Sequence, residues 1–94
     1  MDQDFEWDEE KAIQNFRNHK VDFNEAKTVF NDPFAITIFD PRHSFDEDRY
    51  IDIGRSSTGR ILIVAYTERR SNIRIISSRK ATKAERRIYE EGKR

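Results

Sequence analysis

The sequence predicts an α+β domain: two N-terminal helices, an antiparallel sheet of about four strands, and a C-terminal helix. Three observations carry this reading. Apolar residues recur at helical spacing before residue 31 and again after residue 82. Between those limits, β-rich runs follow one another with only short turn-like breaks, as hairpin-connected strands do. Helices set apart from a run of strands mean α+β rather than alternating α/β. Ninety-four residues without repeats, linkers or low-complexity tracts make a single domain over 1–94.

Phe5-Glu6-Trp7 opens the chain as a strand stub or as an anchor for the first helix. Asp8 is an N-cap, with Glu9 and Glu10 in the first turn where the helix dipole favours acids. The helix runs to about Asn18. Its stripe of Ala12, Ile13 and Phe16 is assigned to the core, and that of Lys11, Asn15 and His19 to solvent. Asp22 or Asn24 begins a second short helix with Phe23, Ala26, Val29 and Phe30 on its apolar face. Asn31-Asp32-Pro33 ends it, because the residue before proline disfavours helix.

Ala35 to Phe39 reads as the first strand of the meander, and Asp40 to Asp48 as a charged loop. Arg49 to Arg55 alternates, Ile51 and Ile53 on one face and Asp52 on the other, as a half-buried strand. Ser56-Ser57-Thr58-Gly59 is a hairpin connection. Ile61 to Tyr66 is apolar on both faces and is therefore the central strand. Glu68 to Asn72 turns the chain, and Ile73 to Ser78 returns as the last strand. Thr82 and Glu85 have the spacing of a capping box, which starts a helix reaching about Glu91 with Gly92 as its C-cap signal.

The chain has no cysteine, so disulfides and thiolate metal sites are excluded, which suits a reducing cytoplasm. Met1-Asp2-Gln3-Asp4 has no following apolar run, so no signal peptide is expected, and no run is long enough to span a membrane. A cytoplasmic protein is expected. Net charge is zero, but residues 1–48 hold 13 acids against 5 bases, and residues 49–94 hold 13 bases against 5 acids. Such a split suits one face to polyanions and another to a basic partner.

Isolated glycines rule out a phosphate-binding loop, and His19 and His43 lack the spacing of metal ligands, so no metal or cofactor is expected. No serine has a nucleophile context, and Ser77-Ser78 are mid-strand and structural. The arginines remain. Between Ile73 and Tyr89, six cations (Arg74, Arg79, Lys80, Lys83, Arg86 and Arg87) face one acid, Glu85. Such a corner holds phosphate or carboxylate, or is a solvated basic helix. Arg49, Arg55, Arg74 and Arg79 lie on or at the ends of strands of one meander, with Arg69 nearby. Tyr50, Tyr66 and Tyr89 are available to stack on bases or to place a hydroxyl near phosphate.

Phe5-Glu6-Trp7-Asp8-Glu9-x-Lys11, Asn15, and His19-x-Val21-x-Phe23-x-Glu25-Ala26 resemble the opening of the BrnT toxin family. So do Val29-Phe30-x-Asp32-Pro33, Arg49-Tyr50-x-x-Ile53-Gly54, Ile73-Arg74-Ile75-Ile76-Ser77-x-Arg79-x-Ala81-Thr82, Glu85-Arg86 and Tyr89. The resemblance runs in order through nearly the whole chain. Ser78 departs from it, where the family usually shows alanine.

This resemblance implies a RelE-like fold and a bacterial type II toxin that inhibits translation by cleaving free or ribosome-bound RNA. It also implies a co-encoded ribbon-helix-helix antitoxin, BrnA, and a heterotetramer that represses its own promoter by binding operator DNA. Cleavage without metal would use the 2′-hydroxyl as nucleophile and leave a 2′,3′-cyclic phosphate. Such a reaction needs a base, an acid and cations around the phosphorane. Arg74 and Arg79 are assigned to the phosphate, with Arg49 or Arg55 assisting; His19 or Glu68 is the base candidate, and Tyr89 positions or protonates. Tyr50, Tyr66 and Arg69 complete the expected RNA-binding set. Two other readings stay open, a non-catalytic partner in a DNA-binding autorepressor and a small RNA-binding module.

Overall fold

The computed structural model describes residues 4–43 and 47–93, so Ser44, Phe45 and Asp46 of the expected loop and the acidic start Met1-Asp2-Gln3 lie outside the described residues. Asp4–Glu6 forms β1, Glu9–His19 α1, and Phe23–Ala26 α2, which continues as a 3-10 turn over Lys27–Asn31. Ile36–Asp40 forms β2, Arg49–Arg55 β3, Ile61–Arg69 β4, Asn72–Lys80 β5 and Lys83–Gly92 α3.

The strands lie in the order β1-β5-β4-β3-β2. Strands β2 to β5 are an antiparallel meander, as expected. The sheet nevertheless has five strands and is mixed, because β1 pairs in parallel with β5, Glu6 opposite Arg74. Three residues show no period of their own, and their partner lies at the other end of the chain, so nothing local announces this pairing. The β4–β5 turn is also tighter than expected. Both strands run on to leave only Arg70 and Ser71 between them, with Arg70 at φ 57°.

The predicted caps form. Asp8 accepts the Lys11 N–H at 3.1 Å, and Asp22 rather than Asn24 caps α2, accepting the Asn24 N–H at 2.7 Å. Thr82 and Glu85 close the capping box of α3. Gly92 is the last helical residue rather than the cap, pressed against β2: an added Cβ would lie 3.0 Å from Ile36 Cδ1.

The sheet is covered on both faces. On one, Val21, Phe23, Ala26 and Val29 from the α1–α2 region pack on Leu62, Val64, Tyr66, Ile73 and Ile75. On the other, Tyr89 of α3 packs on Ile53, Ile61 and Ile63. Strand β4 contributes to both cores, as its two-sided apolar sequence requires. Gly54 lets the 3-10 turn rest on the strand backbone, since an added Cβ would sit 2.7 Å from Val29 Cγ1. No described helix is long and apolar enough to cross a membrane.

Three burial expectations are corrected. Ile13 and Phe16 are 52% and 51% exposed and border a groove of about 520 Å³ beside Trp7, whereas Asn15, expected in solvent, is 6% exposed. Helix α1 is rotated towards the sheet by hydrogen bonds rather than by its apolar stripe. Asn15 Nδ2 donates to the Val21 and Ser78 carbonyls at 3.0 and 2.8 Å, and its Oδ1 accepts the Ser78 N–H at 2.9 Å. Ser78, the departure from the family pattern, is accommodated because its hydroxyl donates to the Ile63 carbonyl at 3.0 Å. Asp52 is buried under the α2 side, accepting from Tyr66 Oη and Thr37 Oγ1 at 2.8 Å each. Burial pushes its carboxyl above the usual range against those two bonds.

Two carboxylates tie elements together and make stability acid-sensitive. Glu25 accepts from Arg60, and from Ser56 Oγ and Thr58 Oγ1 at 2.6 Å each, joining α2 to the β3–β4 hairpin. Glu85 takes both Arg79 guanidinium nitrogens, at 2.8 and 2.9 Å. Hydrogen bonding by Arg60 holds Glu25 at about 2, and bonding by Arg79 holds Glu85 at about 2, against an ordinary 4.5. Both folded values are depressed, so their stabilisation is present above pH 4.5 and is lost as pH falls towards about 2. Together they are expected to remove roughly 2–4 kcal/mol over that window after allowance for solvent screening, slightly offset by Asp52, whose protonation becomes favourable. Urea midpoints measured across the window check this, and Glu25→Gln with Glu85→Gln should flatten the profile.

Candidate active site

One row of paired residues crosses all five strands. Asp40 on β2 faces Arg49 on β3, Arg49 faces Thr67 on β4, Thr67 faces Arg74 on β5, and Arg74 faces Glu6 on β1. Side chains directly opposite one another project from the same face. The row thus reads acid, arginine, threonine, arginine, acid. It lies on the α3 side of the sheet, four residues before Ile53 on β3 and four after Ile63 on β4, the isoleucines on which Tyr89 packs.

A bulge brings Arg79 to the same face. Ala65 pairs with Ser77 but Tyr66 pairs with Ile75, leaving Ile76 as an extra residue in β5. Arg74 and Arg79 are five positions apart, which in a regular strand places them on opposite faces. The extra residue reverses the phase, so Arg79, opposite Ile63, projects to the side of Arg74.

The charges in the row are mutually held. Arg74 Nη1 donates to Glu6 Oε2 at 2.9 Å, and Asn72 Nδ2 donates to Glu6 Oε1 at 3.4 Å. Two residues beyond Thr67, Arg69 makes a two-pronged pair with Glu47 at 2.5 and 2.8 Å. Hydrogen bonding to Arg69, with a further contribution from Arg74, holds the Glu47 carboxyl below its usual range. Between the two arginines of the row, Thr67 is buried and its Oγ1 has no hydrogen-bond partner among the described residues.

Arg49, Arg69 and Arg74 are therefore brought together; Arg79 and Arg55 share their face further from the row, and the other expected site residues lie elsewhere. Arg55 lies at the far end of β3, its guanidinium 5.9 Å from the centre of the Tyr89 ring and 3.6 Å from Glu90. Tyr89 is 1% exposed and donates to Asp32 Oδ2 at 2.6 Å, an acceptor it shares with the Arg55 N–H at 2.8 Å. Burial and Asp32 push its phenol up. Tyr66 is 3% exposed in the opposite core, its hydroxyl committed to Asp52, and Tyr50 stacks on it with ring centres 5.7 Å apart. Both tyrosines face the α1–α2 layer. Glu68 belongs to that side too, since its charge acts on Asp52 and Tyr66. His19 ends α1 at the hairpin end of the molecule, where the neighbouring Lys20 carbonyl accepts from Arg60.

Glu6, Asp40, Thr67 and Glu47 belong to the cluster and were not singled out from the sequence. Their role depends on strand register. The alternation of Arg49 with Ile51 and Ile53 was the one readable signal that a polar group shares that face.

The family model described as the ribonuclease toxin BrnT of type II toxin-antitoxin systems matches residues 7–85. Among solved structures, the chain is similar to the crystal structure of the Brucella abortus ribonuclease toxin BrnT, with a TM-score of 0.64 and 24% identity over 87% of this chain and 100% of that one. This likeness carries the fold. Comparison with curated proteins finds no match.

Proposed function

The chain belongs to the BrnT family of ribonuclease toxins of type II toxin-antitoxin systems, and from that premise we propose that its arginine row is the RNA-cleaving site. The observation that carries this reading is the pairing of Arg49, Thr67 and Arg74 across three adjacent strands. The reaction is RelE-like and needs no metal. A backbone phosphate enters between Arg49 and Arg74 and displaces Glu6 from Arg74. The 2′-hydroxyl attacks phosphorus, forming O2′–P and breaking P–O5′, and leaves a 2′,3′-cyclic phosphate. Glu6, released but still close, accepts the hydroxyl proton. The leaving O5′ takes its proton from solvent, because arginine holds its own too tightly to give one up. Arg49 and Arg74 stabilise the charge that develops on the phosphorane oxygens. Arg79, held by Glu85 and opposite Ile63, receives a phosphate further along the strand of RNA. His19 and Glu68, on the other layer, take no part.

The partner is a BrnA-like ribbon-helix-helix antitoxin in the cytoplasm, joined in a heterotetramer that binds operator DNA. Inducing the chain alone in bacteria is expected to arrest growth and create new RNA ends, with 2′,3′-cyclic phosphate on the upstream fragments. Co-expression of the antitoxin restores growth. Normal growth with intact RNA, despite folded and antitoxin-free protein, overturns the ribonuclease reading and leaves a non-catalytic member of an autorepressor complex.

A further inference from the structure

On the other side of α3 from the arginine row, a pocket of about 360 Å³ opens between that helix and the β3–β4 hairpin. Four cations from four different segments line it: Arg55 at the end of β3, Arg60 beyond the hairpin turn, Lys80 at the end of β5, and Arg86 on α3. Glu90 is the acid in the lining, and Ile61 and Ala81 form an apolar floor. Internal partners restrain two of the cations. Arg55 Nη1 donates to the Gly59 carbonyl at 3.0 Å, and Arg60 is held by Glu25 and the Lys20 carbonyl. Lys80 and Arg86 are exposed and make no ion pair among the described residues. The fold thus pairs Arg55 with Glu90 and Arg60 with Glu25, and leaves Lys80 and Arg86 around the opening without an ion pair among the described residues.

We propose that this pocket is a second phosphate subsite, which grips the RNA backbone at a distance from the cleaved bond. This rests on the ribonuclease reading of the arginine row. Arg79 and Lys80 are consecutive at the end of β5 and leave it on opposite faces, opposite Ile63 and Leu62, so the pocket lies around the end of the strand from the row. From Arg74 to Lys80 the strand advances on the order of 20 Å, too far for a dinucleotide to reach both. The pocket therefore acts only on longer RNA. Its apolar floor suits the ribose that adjoins a bound phosphate, and its cations act on charge without reading sequence.

The test uses Lys80→Ala/Arg86→Ala, two exposed positions whose removal leaves the packing intact, and Lys11→Ala/Arg17→Ala on α1 as a charge-matched control. The probes are a 2′-O-methylated RNA 14-mer of mixed sequence, which cannot be cleaved, and a dinucleotide of the same chemistry. The 14-mer is expected to bind the pocket variant about tenfold more weakly, with a salt slope smaller by about 0.7 for one lost phosphate contact. Dinucleotide binding stays unchanged, and the control behaves as wild type. Equal affinity and slope for the pocket variant on the 14-mer overturn the subsite, as does an equal loss in the control, which would mean diffuse attraction. If wild type binds neither RNA nor cleaves it in cells, the ribonuclease reading itself has failed. If the pocket variant keeps RNA affinity but loses the antitoxin or operator complex, the occupant is not RNA and the proposal falls.

Discussion

Replacing Asn15 with alanine is expected to destabilise the domain by about 3–5 kcal/mol. The side chain makes three buried hydrogen bonds, two to carbonyls and one from the Ser78 N–H, joining α1 to β5 and to the chain leading into α2. Because the Ser78 N–H can only donate, the amide oxygen must face it and the amide nitrogen must face the carbonyls. Alanine leaves three buried backbone groups without their side-chain partners. Asn15→Asp keeps the acceptor but sets a carboxylate against two carbonyl oxygens, so it should fare no better. Domains of this size are stable by roughly 5–15 kcal/mol, so the loss is a large fraction of the whole. Phe16→Ser, one residue on but half-exposed, should cost under about 1 kcal/mol. Urea unfolding of the three variants decides the matter, and an Asn15→Ala variant within 1 kcal/mol of wild type would show that α1 is held by apolar contact after all.

That contrast locates what the sequence could and could not say. Capping chemistry is local, and Asp8, Asp22 and the Thr82–Glu85 box were legible for that reason. The orientation of α1 was not, because Ile13 and Phe16 make a convincing apolar stripe while the residue that faces the sheet is an asparagine. A buried polar residue gives no periodic signal; its burial is explained only by carbonyls 6 and 63 residues away. Asp52 misled in the same manner, its partners Thr37 and Tyr66 lying on the two neighbouring strands.

The site was legible in its residue types rather than in its geometry. An excess of arginine in the second half pointed to phosphate, and all five expected arginines project from the α3 face, Arg55 at its far end. That Arg79 is among them depended on a single inserted residue: without Ile76 as a bulge, Arg74 and Arg79 would sit on opposite sides of β5. The acids of the row required the parallel pairing of β1, which three residues do not advertise. The tyrosines were attractive as stacking groups because composition does not distinguish an exposed ring from a buried one. Tyr66 and Tyr89 are core groups whose hydroxyls are spent on Asp52 and Asp32.

Arg74→Ala is expected to lower the rate of RNA cleavage by about 10²–10³-fold, the usual cost of removing one positioned donor from a developing oxyanion. Stability should hardly move. The Arg74–Glu6 pair is at the sheet surface, with side chains 31% and 35% exposed, and such pairs contribute about 1 kcal/mol or less. This separation of activity from folding is what distinguishes a phosphate grip from a structural ion pair. Arg74→Lys keeps the charge but loses the planar fork, so it should recover only part of the rate, leaving a deficit of roughly tenfold. Glu6→Gln supplies the complementary case. It keeps the hydrogen bond to Arg74 but removes the proton acceptor, so RNA affinity should persist while cleavage falls by about 10²-fold or more. Single-turnover cleavage of RNA, with affinity measured separately on a 2′-O-methylated strand, resolves these contributions. Should Arg74→Ala cleave within threefold of wild type, the scissile phosphate lies elsewhere on the protein. If Glu6→Gln lost binding and cleavage together, Glu6 would be a support for Arg74 rather than the base.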